Sequence, residues 1–197
     1  MGSGEVRYCL LIVGIASVVI LWILGNPNLA TTDNGPQRLY VKADAAGLNT
    51  GASWEDAYIS LQTALANAQT CLSDTCTVIW VAAGTYRPTS GLDRSTSFVL
   101  RPGVSIYGGF AGNETDLAQR DPARNTTILS GDIGLPGDDS DNSFHVVTDE
   151  AASGNAVLDG FVIVAGNADS NPSVDLMHSR GGGLHIASSP ALANLVI

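Results

Sequence analysis

The stretch Ala156–Ala168 reads AVLDGFVIVAGNA, and it partly recurs at Ala191–Ile197 as ALANLVI. In both copies a short apolar segment precedes a residue that tolerates a positive φ, and a second apolar segment follows. The matched pairs are Leu158 with Leu192, Gly160 with Asn194, Phe161 with Leu195, and Val162-Ile163 with Val196-Ile197. Glycine and asparagine enter the left-handed backbone region at least cost, so their exchange indicates a backbone requirement at a corner. Self-similarity at this spacing is typical of a solenoid, whose coils bury their apolar faces against one another.

The composition fits a single β-rich domain. The chain has 197 residues, of which 45% are hydrophobic, 14% are charged and 22 are glycine. The formal net charge is -10, with 9 lysines and arginines together. A nucleic-acid groove needs clustered positive charge, so this balance argues against a nucleic-acid partner. It fits a secreted protein, an ion-binding surface or simple solubility.

Residues 1–30 form a separate apolar segment. The run Tyr8–Leu24 carries no charge, and Gly25, Asn26 and Pro27 break it. Its length lies between a secretory apolar region of about 7–15 residues and a membrane-spanning helix of about 20. We expect export, with residues 1–30 either a cleaved signal peptide or a retained signal anchor that attaches the chain to a membrane. A buried core helix is the alternative.

The next segments form a linker and a cap. Residues 31–37 are polar and turn-rich, and residues 38–76 predict an N-terminal cap with an amphipathic helix. The helix is predicted to begin at Ser53, with Asp56 completing a capping box, and apolar positions follow three-four spacing as far as Ala68. The exposed end of a solenoid is an edge that needs covering, so we expect this helix to cap it. A helix packed on the side of a sheet is the alternative.

Cys71 and Cys76 flank a short turn-like segment after this helix. In an oxidising compartment the two thiols would close a small loop as a disulfide. Two unpaired thiols are the alternative.

Residues 77–197 predict short strands separated by turn residues. The predicted strands are Val78–Val81, Phe98–Leu100, Val104–Tyr107, Ile128–Leu129, Phe144–Val147, Val157–Leu158, Phe161–Val164, Leu184–Ile186 and Leu192–Ile197. Such a pattern fits a sandwich, a barrel or a β-helix. Hairpin signals are missing between these strands, and the strand–corner–strand units recur in one polarity. We therefore predict an all-β fold, a right-handed parallel β-helix, with surface excursions at 113–125, 134–142 and 169–180.

Several segments carry a family resemblance. They are VIWVAAGTYRPT (Val78–Thr89), SFVLRPGVSIYGGFAGNET (Ser97–Thr115), RDPARNTTILSGD (Arg120–Asp132), DNSFHVV (Asp141–Val147), LDGFVIVAGNA (Leu158–Ala168), GGGLHI (Gly181–Ile186) and SPALANLVI (Ser189–Ile197). Residues 38–197 resemble the amino-terminal portion of bacterial exported right-handed parallel β-helix proteins, the pectin-lyase-like group related to polymorphic outer-membrane proteins. The resemblance implies a three-faced coil, export and surface display, commonly with a carboxy-terminal anchoring or sorting module. The array here stops inside an apolar strand, so we expect an uncapped carboxyl end and a fragment of a longer protein.

The loop Gly131–Asn142, GDIGLPGDDSDN, concentrates hard oxygen ligands of the kind that Ca²⁺ takes. The candidate ligands are Asp132, Asp138, Asp139 and Asp141, with Asn142 beside them. An EF-hand alignment beginning at Asp139 fails, because Phe144 occupies the position that requires glycine. Two interpretations remain, a Ca²⁺ site and a solvated turn rich in aspartate.

The sequence contains no recognisable catalytic set. Polysaccharide hydrolysis needs paired acids, and elimination needs Ca²⁺-binding acids with a basic residue. Asp132, Asp149 and Asp159 follow predicted strands and Arg101 and Arg180 lie nearby, yet no spacing links them. We therefore assign no catalytic or cofactor-binding residue.

The histidines and tryptophans carry little functional signal. Strand alternation places His145 and His185 outward, His178 falls in a loop, and no pair has metal-ligand spacing. Trp54 and Trp80 are interpreted as packed residues rather than sugar-stacking platforms.

The leading functional hypothesis is a non-enzymatic cell-surface or extracellular scaffold that displays loops for adhesion or glycan contact. Its expected partner is a surface glycan or protein. The alternative is part of a carbohydrate-active enzyme, a polysaccharide lyase or hydrolase whose site lies outside this segment or only partly within it. A truncated product without independent activity is the third hypothesis.

Overall fold

A computed structural model describes residues 35–150, 153–173 and 175–197. The predicted signal or anchor segment, residues 1–30, lies outside the described residues, as does most of the predicted linker. Within the described ranges, no helix is both long and apolar enough to cross a membrane.

The described chain is mostly β-sheet. Its strands are β1 Gln37–Val41, β2 Thr77–Ala82, β3 Gly84–Tyr86, β4 Phe98–Leu100, β5 Val104–Phe110, β6 Thr127–Ser130, β7 Val147–Asp149, β8 Val157–Asp159, β9 Val162–Val164, β10 Leu184–His185 and β11 Ala191–Ala193. One α-helix, α1, spans Leu61–Asn67, and 3-10 turns lie at Leu117–Gln119, Asp139–Asp141 and Met177–Ser179.

The strands form three parallel sheets. The first sheet has the order β1-β2-β5-β8-β11, the second β3-β6-β9 and the third β10-β7-β4. From β2 onward the chain enters the first, second and third sheets in turn and then returns to the first. Every strand pair within the described ranges is parallel. The prediction of an all-β chain with parallel strands is confirmed.

Each sheet contributes a row of stacked apolar side chains to the core. In the first sheet the register aligns Leu39, Ile79, Ile106, Leu158 and Leu192. The first four are at most 5% exposed, whereas Leu192 at the edge of the sheet is 41% exposed. Comparable rows are Tyr86, Leu129 and Ile163 in the second sheet, and Phe98, Val147 and Leu184 in the third. Neighbouring strands of each sheet therefore bury their apolar side chains against one another, which is the arrangement that repeated strands produce.

The two edges of the first sheet differ. The backbone of residues 51–58 covers the β1 edge, since Gly51 O accepts from Tyr40 N at 3.0 Å and Tyr58 N donates to Tyr40 O at 2.9 Å. At the opposite edge all of β11 is exposed.

The sequence repeat corresponds to strand register. Leu158 pairs with Leu192, and Val162 bridges to Val196. Gly160 has φ of 88° and Asn194 has φ of 48°, so both corner residues occupy the left-handed region as predicted. Gly160 meets a second constraint, because an added Cβ would lie 2.9 Å from Gly108 O. Asn194 adds a side-chain bond of 2.7 Å from Nδ2 to Asp159 Oδ1, so its role goes beyond the backbone.

These two corners predict different mutational costs. We expect Gly160→Ala to lower the free energy of unfolding by about 2 kcal/mol, because an L-residue is strained at this φ and its Cβ would press on Gly108 O. Asn194→Gly should cost about 0.5 kcal/mol or less, since glycine keeps the conformation and loses one exposed hydrogen bond. Urea denaturation of both variants measures the difference. Equal losses at the two corners would contradict this explanation.

The predicted helix is right from residue 61 and wrong before it. Ser53 Oγ does accept from Asp56 N at 3.1 Å, but that bond closes an isolated turn. Tyr58 pairs with the β1 edge through backbone bonds, which prevents residues 53–60 from continuing as a helix. α1 then packs against β1 and β4 with Leu61, Ala64 and Leu65 buried.

Several strand boundaries also differ from prediction, and one strand is additional. β1 begins at Gln37, inside the predicted linker, because Gln37 N donates to Cys76 O at 2.7 Å. β3 is an additional strand that pairs with β6. β7 begins at Val147, whereas the strand was predicted over residues 144–147. Phe144 instead contacts the loops, with its ring under the Arg94 guanidinium at 4.2 Å.

Candidate functional site

An aromatic cluster covers the outer face of the first sheet. Alternation along the strands places Tyr40, Trp80 and Tyr107 opposite the core row, and they are register partners. Trp80 stacks on Phe110 with ring centroids 4.7 Å apart, and Trp54 lies 5.5 Å from Phe110. Trp80 is 2% exposed, so it is a packed residue as expected, although it packs on the outer face of the first sheet and not in the core row.

The surface excursion between β5 and β6 is fixed to this cluster. Trp54 Nε1 donates to Glu114 O at 2.8 Å. The Glu114 carboxylate accepts from the N–H groups of Ala111, Gly112 and Asn113 at 2.6, 3.0 and 3.0 Å. Burial raises the pKa of Glu114, but these N–H donors outweigh burial and bring the pKa below its ordinary value. The start of the excursion is therefore held by a buried carboxylate that stays ionised at neutral pH.

The middle of the excursion has its own cap. Asp116 and Gln119 form a capping box around a 3-10 turn. Gln119 Oε1 accepts from Thr115 N at 2.8 Å and from Asp116 N at 3.0 Å. The backbone of this surface segment is thus ordered by its own side chains.

The excursion forms a polar groove of about 740 Å³, called here the amide groove. Its lining residues are Ala111, Asn113, Glu114, Gln119, Asp121, Arg124 and Asn125. Arg124 is exposed and has no carboxylate partner among the described residues. The amide groove therefore offers side-chain amides and one unpaired guanidinium on a fixed backbone.

Residues of the same excursion also line a second groove of about 560 Å³, called here the corner groove. Gly160, Phe161 and Asn194 line it together with residues of the excursion, and Asp121 borders both grooves. Beside it Arg120 Nη2 and Asp159 Oδ2 form an ion pair at 2.5 Å, with side chains only 15% and 13% exposed. The ion pair ties the excursion to the end of β8.

In the structure, the predicted Ca²⁺ ligands form hydrogen bonds or ion pairs with different partners. Asp132 accepts from Gly137 N at 2.9 Å and pairs with Arg87 at 3.1 Å, and both contacts lower its pKa. Asp138 caps a turn by accepting from Ser140 N and Oγ, which lowers its pKa. Asp139 Oδ1 accepts from Asn142 Nδ2 at 3.3 Å.

Asp141, the fourth predicted ligand, engages the same loop. Its Oδ2 atom accepts from Leu135 N at 2.7 Å. In the part of the chain that the structure describes, no three His, Cys, Asp or Glu side chains come together as a metal-binding group.

The carboxylates considered for catalysis lie at three different places in the fold. Asp132 follows β6 in the second sheet, Asp149 ends β7 in the third, and Asp159 ends β8 in the first. Burial raises the pKa of Asp149. Hydrogen bonds from Ala187 N at 2.8 Å and Ser188 N at 2.7 Å outweigh burial, so the pKa lies below its ordinary value. The structure therefore gives each carboxylate its own structural partner rather than a common site.

The three histidines come together, which the sequence spacing did not indicate. The His145 ring lies 4.7 Å from the His185 ring and 5.5 Å from the His178 ring. His145 is buried, contrary to the outward position predicted, because residue 145 precedes β7 rather than lying within a strand. Its Nδ1 and Nε2 atoms each lie 3.0 Å from a carbonyl oxygen, those of Gly181 and Met177. His145 therefore anchors the excursion between β9 and β10.

This contact predicts a pH dependence. Burial is the main cause that lowers the pKa of His145, and the neighbouring His185 and His178 add to it, while the two carbonyl contacts oppose it. A histidine with a lowered folded-state pKa favours the neutral form in the fold. Stability is then complete above the unfolded pKa of about 6.5 and falls as the pH drops below it.

We expect the urea midpoint to fall as the pH is lowered from about 7 to about 5. His145→Gln should remove part of that fall, because the amide does not titrate. An unchanged pH profile in this variant would contradict the assignment to His145.

The structure joins Cys71 and Cys76 in a disulfide, with Cα atoms 6.1 Å apart. The bond lies between α1 and β2, where Cys71 N donates to Pro102 O at 3.1 Å and Cys76 N donates to Gly103 O at 2.8 Å. The disulfide closes the loop of residues 71–76, and the two backbone bonds attach that loop to the turn before β5.

Sequence reasoning missed the amide groove and the histidine cluster. The excursion was predicted over residues 113–125, so the sequence did indicate the position of a surface loop. Its concavity depends on Glu114 and Gln119 binding nearby backbone N–H groups, which no spacing rule reveals.

No family model, curated protein or solved structure matches this chain.

Proposed function

We propose that this chain is an exported, cell-surface or extracellular scaffold built on a right-handed parallel β-helix. Support for the architecture comes from three parallel sheets that the chain enters in a fixed order, since crossovers between parallel strands are right-handed in about 98% of cases. Support for export comes from the apolar run Tyr8–Leu24 and from the Cys71–Cys76 disulfide, a bond typical of oxidising compartments. The resemblance to pectin-lyase-like exported proteins agrees with both.

We further propose that the scaffold contacts glycans at the amide groove. The observation that carries this proposal is a polar concavity whose backbone is held before any ligand arrives. Glu114 and the Asp116–Gln119 capping box fix that backbone. A preordered polar surface binds hydroxyl-rich ligands with less loss of conformational entropy than a mobile loop does.

The lining side chains suit sugar hydroxyl and carboxylate groups. Asn113 is exposed, and Asn125 directs its Nδ2 to Gly109 O at 3.2 Å, leaving its amide oxygen as an acceptor. Gln119 uses its amide oxygen within the capping box and retains its Nε2 donors. Arg124 adds planar donors that pair with a carboxylate in two-point geometry. The groove therefore suits an oligosaccharide, with Arg124 as its cationic contact beside the Glu114 and Asp121 carboxylates.

A glycan array tests this proposal. The purified chain is applied to immobilised neutral and uronate-containing oligosaccharides, and the dissociation constant of any retained sugar is then measured by calorimetry. Arg124→Gln should weaken binding about tenfold or more, the loss of one charge-assisted contact. Arg180→Gln makes the same charge change in a different excursion and should leave binding unchanged.

Two results would reject the glycan proposal. One is retention of no oligosaccharide, and the other is an equal loss of binding in both arginine variants. Release of unsaturated uronate ends from the same panel would instead identify a carbohydrate-active enzyme.

A further inference from the structure

The histidine cluster belongs to a series of ring contacts beside the excursion between β9 and β10. The His145 ring lies 4.7 Å from the His185 ring and 5.5 Å from the His178 ring. The His178 ring in turn lies 4.5 Å from the Phe144 ring, and the Arg94 guanidinium lies 4.2 Å from the centroid of Phe144. Three imidazoles and one guanidinium therefore lie within a few ring contacts of one another.

His145 fastens the second half of this excursion to the rest of the fold. Its Nδ1 atom lies 3.0 Å from Gly181 O, and its Nε2 atom lies 3.0 Å from Met177 O. Among the described residues, no other hydrogen bond joins residues 175–181 to the chain outside the excursion. Leu176 is 57% exposed and Met177 is 60% exposed, so apolar packing adds little here. A segment with so few contacts opens at a low cost in free energy.

Protonation of the three imidazoles would charge this region unevenly. Asp175 Oδ2 lies 2.5 Å from His178 Nδ1, and Asp169 Oδ1 lies 2.7 Å from Arg94 Nη2. Within the part of the chain that the structure describes, no carboxylate pairs with either of the other two imidazoles. Like charges in contact disfavour the charged forms. Acid would therefore place two uncompensated positive charges side by side, at His145 and at its neighbour on β10.

Burial adds to this effect at His145, which is 6% exposed. Burial lowers the pKa of His145, and the neighbouring His185 and His178 lower it further. The two carbonyl contacts raise the pKa but do not outweigh these effects. A histidine with a lowered folded-state pKa destabilises the closed form as the pH falls below the unfolded pKa of about 6.5. Acid therefore favours opening of the segment that His145 holds.

We propose that the histidine cluster is an acid-sensitive latch on this excursion. At neutral pH His145 holds residues 175–181 in place, and at about pH 5 protonation of the cluster releases them while β5 and β8 stay paired. The latch is independent of the proposed glycan contact, because a different excursion forms the amide groove.

Hydrogen exchange of the full chain, measured by mass spectrometry and corrected for the intrinsic pH dependence of exchange, tests the latch. Protection of the amides in residues 175–181 should fall about tenfold or more between about pH 7 and about pH 5. The amides of β5 should stay protected. Residues 113–125 form an excursion without histidine and serve as the internal control, in which protection should change by less than about twofold.

Two variants separate the roles of the rings. His145→Gln removes the titrating group, so protection of residues 175–181 should agree within about twofold at the two pH values. His185→Phe keeps a ring beside His145 and removes one charge. It should keep the protection seen at neutral pH and reduce the acid effect to about threefold.

Unchanged or greater protection of residues 175–181 at pH about 5 in the unmodified chain would overturn the proposal. Greater protection would mean that the charged His145 ring donates to both carbonyl oxygens. A full acid response in both variants would also overturn it, because the titrating group would then lie elsewhere. If His145→Gln leaves the segment open at both pH values, a full acid response in His185→Phe is sufficient to reject the latch.

Discussion

Leu158→Ala is expected to lower the free energy of unfolding by about 3–4 kcal/mol, the range for removing a fully buried leucine. Leu158 is 1% exposed and lies between Ile106 and Leu192 in the core row of the first sheet. Neighbours on both sides hold the backbone, so the cavity left by truncation has little room to collapse. Urea denaturation at neutral pH measures the loss.

Leu192→Ala is the matched control for this prediction. It changes the same side chain at the register partner of Leu158, but Leu192 is 41% exposed. Its truncation should cost about 1 kcal/mol, because water already reaches much of its surface. Equal losses at the two positions would mean that the row is not stacked as described.

Arg120→Met is expected to cost about 3 kcal/mol. The variant leaves the Asp159 carboxylate largely buried, with Asn194 Nδ2 at 2.7 Å as its remaining side-chain donor. Removing one partner of a fully buried pair costs about 3–5 kcal/mol, and the partial exposure of this pair places the expected loss at the lower end. Arg120 Nη1 also donates to Gly108 O, so the variant loses a hydrogen bond to β5 as well.

A double-mutant cycle separates the ion pair from general packing. Asp159→Asn combined with Arg120→Met leaves no unpaired charge, so the double variant should be more stable than the sum of the single losses implies. Arg101→Met is the comparison at an exposed pair, since Arg101 and Glu150 are 31% and 46% exposed, and it should cost about 1 kcal/mol or less. Simple additivity in the cycle would contradict a direct Arg120–Asp159 interaction.

The parallel sheets and their corners could be predicted because they repeat. Leu158 and Leu192 are matched in sequence and paired in space, and Gly160 and Asn194 share a positive φ. When a segment is repeated, residues that match between the two copies are expected to pair in space, so this long-range contact can be predicted by comparing the copies.

The helix start and the sites could not be predicted in the same way. A capping box at Ser53 is a local signal, yet Tyr58 instead forms backbone bonds with β1, a contact remote in sequence. The burial of His145 and the pairing of Arg120 with Asp159 also depend on where an excursion returns to the sheets. The excursions are not repeated in the sequence, so there is no second copy from which their contacts could be predicted.

The unequal edges of the first sheet imply a direction for partial unfolding. Residues 51–58 protect the β1 edge through backbone bonds, whereas β11 is bonded on one side only and lies open to water on the other. In a stack held by nearest-neighbour contacts, opening begins where a unit has one neighbour. Within residues 35–197, amide hydrogens of β11 should therefore exchange first, those of β8 next and those of β2 last.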